Sequence, residues 1–406
     1  MALQIEKEAN RCLQCKLPLC LRGCPARTPI PQVIGLFRQN RLMEAGKLLF
    51  DNNPMSVVCA MVCDHMAQCA GNCVLGRKGE PVHFYAIERF VSDAYLDRMT
   101  VHRPPFNGKS AAVIGSGPAG LTAAVKLAEN GYGVTIFEEK DRIGGMLQYG
   151  IPDFRLPKSI LDRYKRRLLE MGVQIRPHVV MGGDLMIDNL FRDGYRSVFI
   201  GTGVWRPSML GIEGETLANV HFGISYLARP ASYTIGETVA VIGMGNVAMD
   251  VARTAFRHGA RRVMMFQRSK TAHASAHEMD YARLDGAEFF YGKAIQRITR
   301  EGPVFRNSVL DGDGRAVGVT GEEKLVRADT TIIAINQHAK DKLVNTTHGL
   351  KASARGLLVV DENNMTTRPG VFAAGDVVHG SLTVVHAVEE AKNAVRGMIA
   401  YMEAGE

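Results

Sequence analysis

The eight cysteines of this 406-residue chain all lie between Cys12 and Cys73. They form two runs, C-x2-C-x4-C-x3-C-P from Cys12 and C-x3-C-x5-C-x3-C from Cys59. Confinement to one segment favours metal binding over a disulfide framework, and a final C-P is typical of runs whose last cysteine ligates a second cluster. The cysteines therefore predict two four-iron four-sulfur clusters. Two four-cysteine zinc sites remain the alternative, although the paired C-x2-C knuckles usual for zinc are missing.

A glycine-rich motif follows the cysteine segment and predicts dinucleotide binding. Gly115, Gly117 and Gly120 give G-x-G-x-x-G between an apolar strand (residues 111–114) and a helical pattern. In this context the glycines permit a tight turn and let the backbone approach a pyrophosphate at the positive end of the helix. Glu138 ends the next predicted strand, where a carboxylate can accept a hydrogen bond from a ribose hydroxyl.

A second motif of this kind begins at Gly243. Gly243, Gly245 and Ala248 give G-x-G-x-x-A, again between a predicted strand and helix, but no acid ends the following strand. Arg268 and Lys270 stand there instead, and a cation at this point accommodates the 2′-phosphate of NADP. We therefore expect NADPH in preference to its alternative, NADH. The residues expected to hold the nucleotide are Gly243, Gly245, Asn246, Val247, Ala248, Arg268 and Lys270.

From residue 328 the pattern returns to short strands, at residues 330–335, 357–360 and 370–375, before a predicted helix over 383–402. A nucleotide fold interrupted by a second one is the layout of flavoprotein reductases, so we expect FAD in the first fold. Asp376 suits a hydrogen bond to the flavin ribityl or phosphate, and the start of the last helix would lie beside the flavin pyrimidine ring. The residues expected at FAD are Gly115, Gly117, Pro118, Ala119, Gly120, Glu138, Gly144, Gly145, Met146, Arg155, Gly201, Gly203, Gly375, Asp376, Thr383 and Val384.

The predicted fold class is α/β, with two Rossmann-like domains and an N-terminal α-helical domain that carries the cysteines. The expected boundaries are 1–105 for the helical domain, 106–237 and 335–406 for the FAD domain, and 238–334 for the NAD(P)H domain. Between the cysteine runs a helix is predicted over residues 30–50. Residues 102–109 (HRPPFNGK) form a linker rich in proline and glycine.

Composition limits the remaining possibilities. An apolar fraction of 46% supports buried cores, and no run of eighteen apolar residues predicts a membrane-spanning helix. The start, MALQIEKEAN, lacks the profile of a signal peptide, so we expect a cytoplasmic protein. The formal net charge is +8, yet the densest basic group, Arg163 with residues 165–167, falls in a predicted helix. We interpret it as a solvated helix face and not as a nucleic-acid site.

In combination, these motifs resemble one family. The cysteine runs, GSGPAG, GGMLQYGIPDFRLP, GMGNVAMD and GVFAAGDVV are similar to the flavin-containing reductase module of the glutamate synthase small-subunit family, over essentially the whole chain. The length and the stretch IIAINQHAK look most like the FAD subunit of bacterial NAD-dependent dihydropyrimidine dehydrogenases. The stretch GTGVWRPSMLGIEGE is closer to glutamate synthase.

The resemblance implies a ligand set for each cluster. The first cluster would use Cys12, Cys15, Cys20 and Cys73, and the second Cys24, Cys63 and Cys69. Dihydropyrimidine dehydrogenase completes the second set with a glutamine, but the matching residue here is Glu88, which leaves Glu88 or Cys59 as the fourth ligand. Arg155 beside the flavin loop and Glu278 near the nicotinamide domain are candidate catalytic residues, although the redox chemistry belongs to the cofactors.

The resemblance further implies an electron-input subunit. NAD(P)H would pass hydride to FAD, and single electrons would leave through the clusters to a catalytic partner subunit of the dihydropyrimidine dehydrogenase or glutamate synthase type. The absence of cysteine after Cys73 argues against a thioredoxin reductase, which needs a redox disulfide beside the flavin. Two alternatives stay open: a free-standing NAD(P)H:acceptor oxidoreductase of the ferredoxin or diaphorase type, and a non-catalytic cluster- and nucleotide-binding scaffold.

Overall fold

The computed structural model describes residues 2–404. Its α-helices, in chain order, are α1 (Ala2–Asn10), α2 (Leu19–Gly23), α3 (Ile30–Arg38), α4 (Leu42–Asn52), α5 (Ser56–Val62), α6 (Phe84–Arg98), α7 (Pro118–Glu129), α8 (Met146–Tyr149), α9 (Ser159–Glu170), α10 (Ile187–Arg192), α11 (Gly223–Ala228), α12 (Asn246–Arg257), α13 (Ala276–Leu284), α14 (Lys342–Thr346), α15 (Asp376–His379) and α16 (Val384–Ala404). Its strands are β1 (Ser110–Ile114), β2 (Gly133–Phe137), β3 (Gln174–Arg176), β4 (Tyr195–Ile200), β5 (Arg206–Pro207), β6 (Val220–Phe222), β7 (Thr238–Ile242), β8 (Arg262–Phe266), β9 (Glu288–Phe290), β10 (Lys293–Thr299), β11 (Gly302–Leu310), β12 (Ala316–Leu325), β13 (Thr330–Ile333), β14 (Gln337–His338) and β15 (Val371–Ala373). Within this described range, none of the helices combines the length and apolar character needed to cross a membrane.

In the N-terminal helical region, α1, α3, α4 and α6 pack around an apolar core. Fully buried members of this core are Val33, Ile34, Leu49, Ile87 and Val91. The sequence predicts one helix over residues 30–50, and that prediction is wrong at its centre, because α3 ends at Arg38 and α4 begins at Leu42. Asn40 between them has φ +58°, a left-handed conformation that a right-handed helix excludes.

A five-stranded parallel sheet follows, in the order β15–β4–β1–β2–β3. β1 and β2 are buried beyond their first residue, which explains why they read as continuous apolar runs. Because the C-terminal β15 pairs with β4, the last part of the chain completes the sheet that β1 begins. The strand predicted over residues 357–360 does not form, since Leu358 and Val360 make only isolated bridges.

Helix α9 attaches the helical domain to this sheet region. Arg163 Nη1 lies 2.8 Å from Asp93 Oδ1, and Arg167 Nε donates to the Leu96 carbonyl at 2.9 Å. Both partners belong to α6. The basic group predicted as a solvated face is therefore divided: residues 165–166 are exposed, whereas the two flanking arginines hold α6 in place.

The second compact unit comprises Tyr149–Pro152 and Trp205–His338, and the rest of the described chain forms the first unit. It contains a parallel sheet in the order β6–β13–β7–β8–β9 and an antiparallel sheet β10–β11–β12. The sequence predicts that this unit begins at Thr238. It begins earlier in the structure, because β6, which precedes Thr238, pairs with β13. The antiparallel sheet has no counterpart in the sequence prediction.

Candidate cofactor sites

Cysteines from both runs line one cavity in the helical domain, which we call the first cysteine cavity. Its sulfur-bearing residues are Cys12, Cys15, Cys20, Cys69 and Cys73, and the rest of its wall is apolar. Burial raises the pKa of Cys20 to about 11, and the neighbouring thiols add to the rise. Thiolates can therefore gather here only if a cation balances their charge. The structure thus brings together the set Cys12, Cys15, Cys20 and Cys73 that the resemblance implies.

A second cysteine cavity lies beside the first, with Cys69 in both walls. Its metal-binding candidates are Cys24, Cys59, Cys63, Cys69 and Glu88. Val385, from the start of α16, also contributes to its wall. Burial raises the pKa of the Cys69 thiol, and the Glu88 carboxylate raises it further. The metal-binding side chains of either cavity do not converge on a single position. Across residues 2–404, no three His, Cys, Asp or Glu side chains are placed to hold a single metal ion.

The two candidates for the fourth ligand, Glu88 and Cys59, differ in their hydrogen-bond partners. Glu88 is 6% exposed; in the part of the chain that the structure describes, its carboxylate makes no hydrogen bond or ion pair, and burial raises its pKa well above the usual range. The Cys59 sulfur accepts a hydrogen bond from Asn53 Nδ2 at 3.3 Å, and Asn53 Oδ1 accepts one from the Met55 N–H at 2.9 Å. Because a buried carboxylate without a partner is costly, Glu88 fits the role of metal ligand better than Cys59 does.

In the first unit, the predicted glycine loop lies between β1 and α7. Ser116 donates from its backbone N–H (2.9 Å) and its hydroxyl (2.5 Å) to Oε2 of Glu138, and the Gly144 N–H donates to the Ser116 carbonyl at 2.9 Å. A Cβ at Gly120 would lie 2.0 Å from the Gly115 carbonyl oxygen, so only glycine allows this approach. Glu138 therefore fixes the shape of the loop, a contact that its predicted role toward ribose did not anticipate.

The ends of two further strands lie against this loop. A Cβ at Gly201 would be 3.2 Å from the Gly120 nitrogen, and one at Gly375 would be 3.2 Å from the Ala119 Cβ. The carboxyl ends of β1, β4 and β15 therefore meet at the start of α7, where a nucleotide is expected in such a sheet. The remaining predicted flavin residues lie at the ends of elements: Gly117 and Pro118 at the start of α7, Gly145 and Met146 at the start of α8, Gly203 after β4, and Thr383 and Val384 at the start of α16.

Asp376 begins α15 at this same edge of the sheet. Burial raises its pKa to about 6, although the Leu382 N–H donates to its Oδ1 at 3.1 Å. Glu390 Oε2 accepts a hydrogen bond from the Gly375 N–H at 2.8 Å. The sequence did not predict this contact, because no local motif indicates that a residue within α16 contacts Gly375. Arg155 is half-buried in a turn between α8 and α9.

In the second unit, the loop between β7 and α12 is held by the segment that follows β8. The Ser275 N–H donates to Asn246 Oδ1 at 2.9 Å, and the His273 N–H donates to the Met244 carbonyl at 2.9 Å. The segment 267–275 therefore folds back onto the glycine loop. The other predicted members of the loop are Gly243 after β7, Gly245 at the N-cap of α12, and Val247 and Ala248 in its first turn.

The charged residues predicted in this unit have different surroundings. Arg268 and Lys270 are exposed on the segment that contacts the glycine loop. Glu278, a candidate catalytic acid, is 3% exposed and its Oε2 lies 3.3 Å from Arg253 Nη1. Arg253 Nε is also 3.0 Å from Asp285 Oδ2. Glu278 thus belongs to a buried ion-pair network between α12 and α13.

Two family models match the sequence. Residues 109–396 match the pyridine nucleotide-disulphide oxidoreductase family, and residues 1–100 match dihydropyrimidine dehydrogenase domain II, a 4Fe-4S cluster domain. The two matches correspond to the sheet-containing and helical parts of the chain. They bear out the α/β fold class and the expectation of an iron–sulfur domain at the N-terminus.

Individual proteins agree with these models. The glutamate synthase [NADPH] small chain of Azospirillum brasilense is 34% identical, over 98% of this chain and 89% of its own length. The NAD-dependent dihydropyrimidine dehydrogenase subunit PreT of Salmonella typhimurium is 32% identical, over 98% of this chain and 94% of its own. The structure of Mycobacterium tuberculosis FprA with NADPH shares the fold, with a TM-score of 0.62 and 19% identity over 74% of this chain and 85% of that one. This chain therefore belongs to the pyridine nucleotide-disulphide oxidoreductase family, within the group of flavin- and iron–sulfur-dependent NAD(P)H oxidoreductases that includes the glutamate synthase small chains.

Proposed function

We propose that this chain is the electron-input subunit of a larger oxidoreductase. It binds FAD at the glycine loop of the first unit, NAD(P)H at that of the second, and one four-iron four-sulfur cluster in each cysteine cavity. FAD bound at the first of these loops would supply the chemistry that converts a two-electron hydride donor into single electrons for the clusters. The residues of the chain bind and orient these groups, and none of them needs to act as an acid or a base.

The observation that carries the proposal is the buried Glu88 carboxylate, which has no hydrogen-bond or ion-pair partner within residues 2–404 and lies among cysteines in the second cysteine cavity. A positively charged metal centre is the partner that such a group requires. We assign Glu88 as a ligand together with Cys24, Cys63 and Cys69, and Cys12, Cys15, Cys20 and Cys73 as the ligands in the first cysteine cavity. An anionic ligand adds negative charge and lowers the potential of its cluster.

The start of α16 supports an order for the two clusters. Thr383 and Val384 are the residues proposed to lie beside the flavin, and the next residue, Val385, lines the second cysteine cavity. Electrons that leave the flavin would therefore enter this cavity first. The first cysteine cavity, which shares Cys69 with the second, would then come second in this order.

The charge of segment 267–275 supports NADPH as the preferred donor. Arg268 and Lys270 are exposed on a segment whose backbone is held against the glycine loop. Two cations at the end of the second strand suit the 2′-phosphate of NADP, whereas NAD binding generally uses an acid at this point.

The relatives suggest the electron acceptor. Two of them are named as subunits of glutamate synthase and of dihydropyrimidine dehydrogenase, so we propose a catalytic partner subunit of one of these types, with ferredoxin as the alternative acceptor.

The proposed location is the cytoplasm, where a reducing environment keeps cysteines free to act as cluster ligands. All eight cysteines of the chain are free of disulfides.

Anaerobic titration of the purified protein with NADPH and with NADH tests the proposal. We expect bleaching of the flavin absorbance and then EPR signals from reduced clusters, with NADPH effective at the lower concentration. Protein that contains zinc and no flavin would refute the proposal and favour a non-catalytic scaffold. If the flavin bleaches in protein that contains no iron, the electron-input role would be refuted and the diaphorase alternative would remain.

Glu88→Gln and Cys59→Ser form a matched pair for the fourth ligand. Glu88→Gln should keep both clusters and raise the potential of one, because the ligand loses its charge. Cys59→Ser should leave the iron content and both EPR signals unchanged. Loss of about four iron atoms per chain from Cys59→Ser alone would make Cys59 the ligand instead.

A further inference from the structure

The second cysteine cavity contains a hydrogen-bond chain that ends on a cysteine sulfur. Thr28 is 2% exposed, and its Oγ1 lies 3.3 Å from the Cys24 sulfur. Asn52 Nδ2, at the end of α4, donates to the same Thr28 oxygen at 3.4 Å. Thr28 and Cys24 both line the cavity.

The chemistry of the three groups fixes the direction of this chain. The NH₂ group of Asn52 can only donate, so it occupies a lone pair of the Thr28 hydroxyl. The hydroxyl keeps its single proton, and the Cys24 sulfur is the acceptor within reach. When Cys24 is a thiolate metal ligand, it can only accept. The sequence of donors therefore runs from Asn52 through Thr28 to Cys24.

We propose that Thr28, oriented by Asn52, is a positioning residue that raises the potential of the cluster in the second cysteine cavity. This inference rests on the proposed function, in which Cys24 and Glu88 are ligands of that cluster. One-electron reduction would add negative charge to a buried site that, in this proposal, three thiolates and a carboxylate already share. A hydroxyl that donates to a ligand sulfur stabilises the reduced form more than the oxidised form, so Thr28 offsets part of the effect of Glu88.

An EPR-monitored redox titration of the complete protein tests this role. Thr28→Val keeps the shape of the side chain and removes the donor, whereas Thr28→Ser keeps the donor. At a fixed potential near the midpoint, we expect Thr28→Val to raise the ratio of oxidised to reduced cluster about tenfold, which equals about 59 mV for a one-electron couple. Thr28→Ser should change the ratio less than about threefold on the same scale. The cluster held by Cys12, Cys15, Cys20 and Cys73 should not change in either variant, which makes it an internal control.

Asn52→Ala provides a second test if Thr28→Val fails to bind iron. Asn52→Ala acts at a half-buried residue and leaves the hydroxyl in place but free to rotate, so it should shift the same cluster in the same direction by a smaller amount. Iron-replete Thr28→Val protein with parental potentials would overturn the role of Thr28 and leave the proposed function intact. If Thr28→Val binds no iron, parental potentials in iron-replete Asn52→Ala protein would overturn it instead. Parental protein without reducible clusters would refute the proposed function itself.

Discussion

Replacing Gly245 by alanine should separate nucleotide binding from folding in the second unit. Gly245 has φ −92°, which any residue adopts, and an added Cβ would meet no atom within 4 Å. The free energy of unfolding should therefore stay the same or rise by about 0.4–1 kcal/mol, since alanine restricts the unfolded chain. The new methyl group would occupy the space through which a pyrophosphate approaches the backbone, so we expect at least tenfold weaker NADPH binding, or about 1.4 kcal/mol.

Gly243→Ala is the matched control. Gly243 has φ +120°, and a Cβ there would lie 2.3 Å from the Ala334 carbonyl oxygen. Backbone strain and forced displacement of the backbone just after β13 should together destabilise the protein by about 2–5 kcal/mol. The two variants thus differ in the cause of any loss of activity: a blocked site at Gly245 and a distorted fold at Gly243.

Urea unfolding and NADPH titration of both proteins give the required numbers. We expect parental stability with weak NADPH binding for Gly245→Ala, and lowered stability for Gly243→Ala. Parental NADPH affinity in Gly245→Ala would refute the assignment of this loop as the nucleotide site. A loss of stability in Gly245→Ala as large as in Gly243→Ala would refute the structural reading of the loop.

Three further predictions concern other contacts. The double variant Arg268→Ala, Lys270→Ala should raise the KM for NADPH about tenfold and leave that for NADH nearly unchanged, because only NADPH carries the 2′-phosphate; equal effects on both would contradict this. Burial raises the pKa of Asp376 to about 6, so flavin-free protein should lose stability as the pH rises from about 4, where an aspartate of the unfolded chain titrates, to about 6; the advantage of Asp376→Asn in thermal unfolding should therefore grow by roughly 1 kcal/mol above about pH 5 and level off above about pH 7. Tyr164→Phe removes a buried 2.6 Å hydrogen bond to the Pro54 carbonyl and should lower the free energy of unfolding by about 1–2 kcal/mol in urea titration; an unchanged midpoint would show that water replaces the hydroxyl.

The local sequence pattern was sufficient to predict the strand, glycine loop and helix that begin the first nucleotide unit. The apolar runs that become β1 and β2 and the glycines between them are set by neighbours in sequence, so strand, loop and helix follow from the residues themselves. The burial of Glu88 also had a signal, since Phe84, Ile87 and Val91 share its face of α6 at helical spacing. A carboxylate on an apolar helix face requires a partner.

Other features depend on contacts that a local pattern does not contain. The break at Asn40 needs one residue in a left-handed conformation, and residues 30–50 remain apolar enough to read as one helix. β12 is exposed beyond its first residue and lacks the alternation of a half-buried strand, so the antiparallel sheet was missed. The contact between Asn52 and Thr28 joins residues from different helical segments and appears only once the helices pack.

The composition and electron capacity of the purified protein test the central claim most directly. Iron, acid-labile sulfide and flavin should be measured together, followed by an anaerobic reductive titration monitored by absorbance and EPR. We predict about eight iron atoms and one FAD per chain, and uptake of about four electrons, two by the flavin and one by each cluster. Zinc in place of iron, or uptake of only two electrons by an iron-free flavoprotein, would contradict the account.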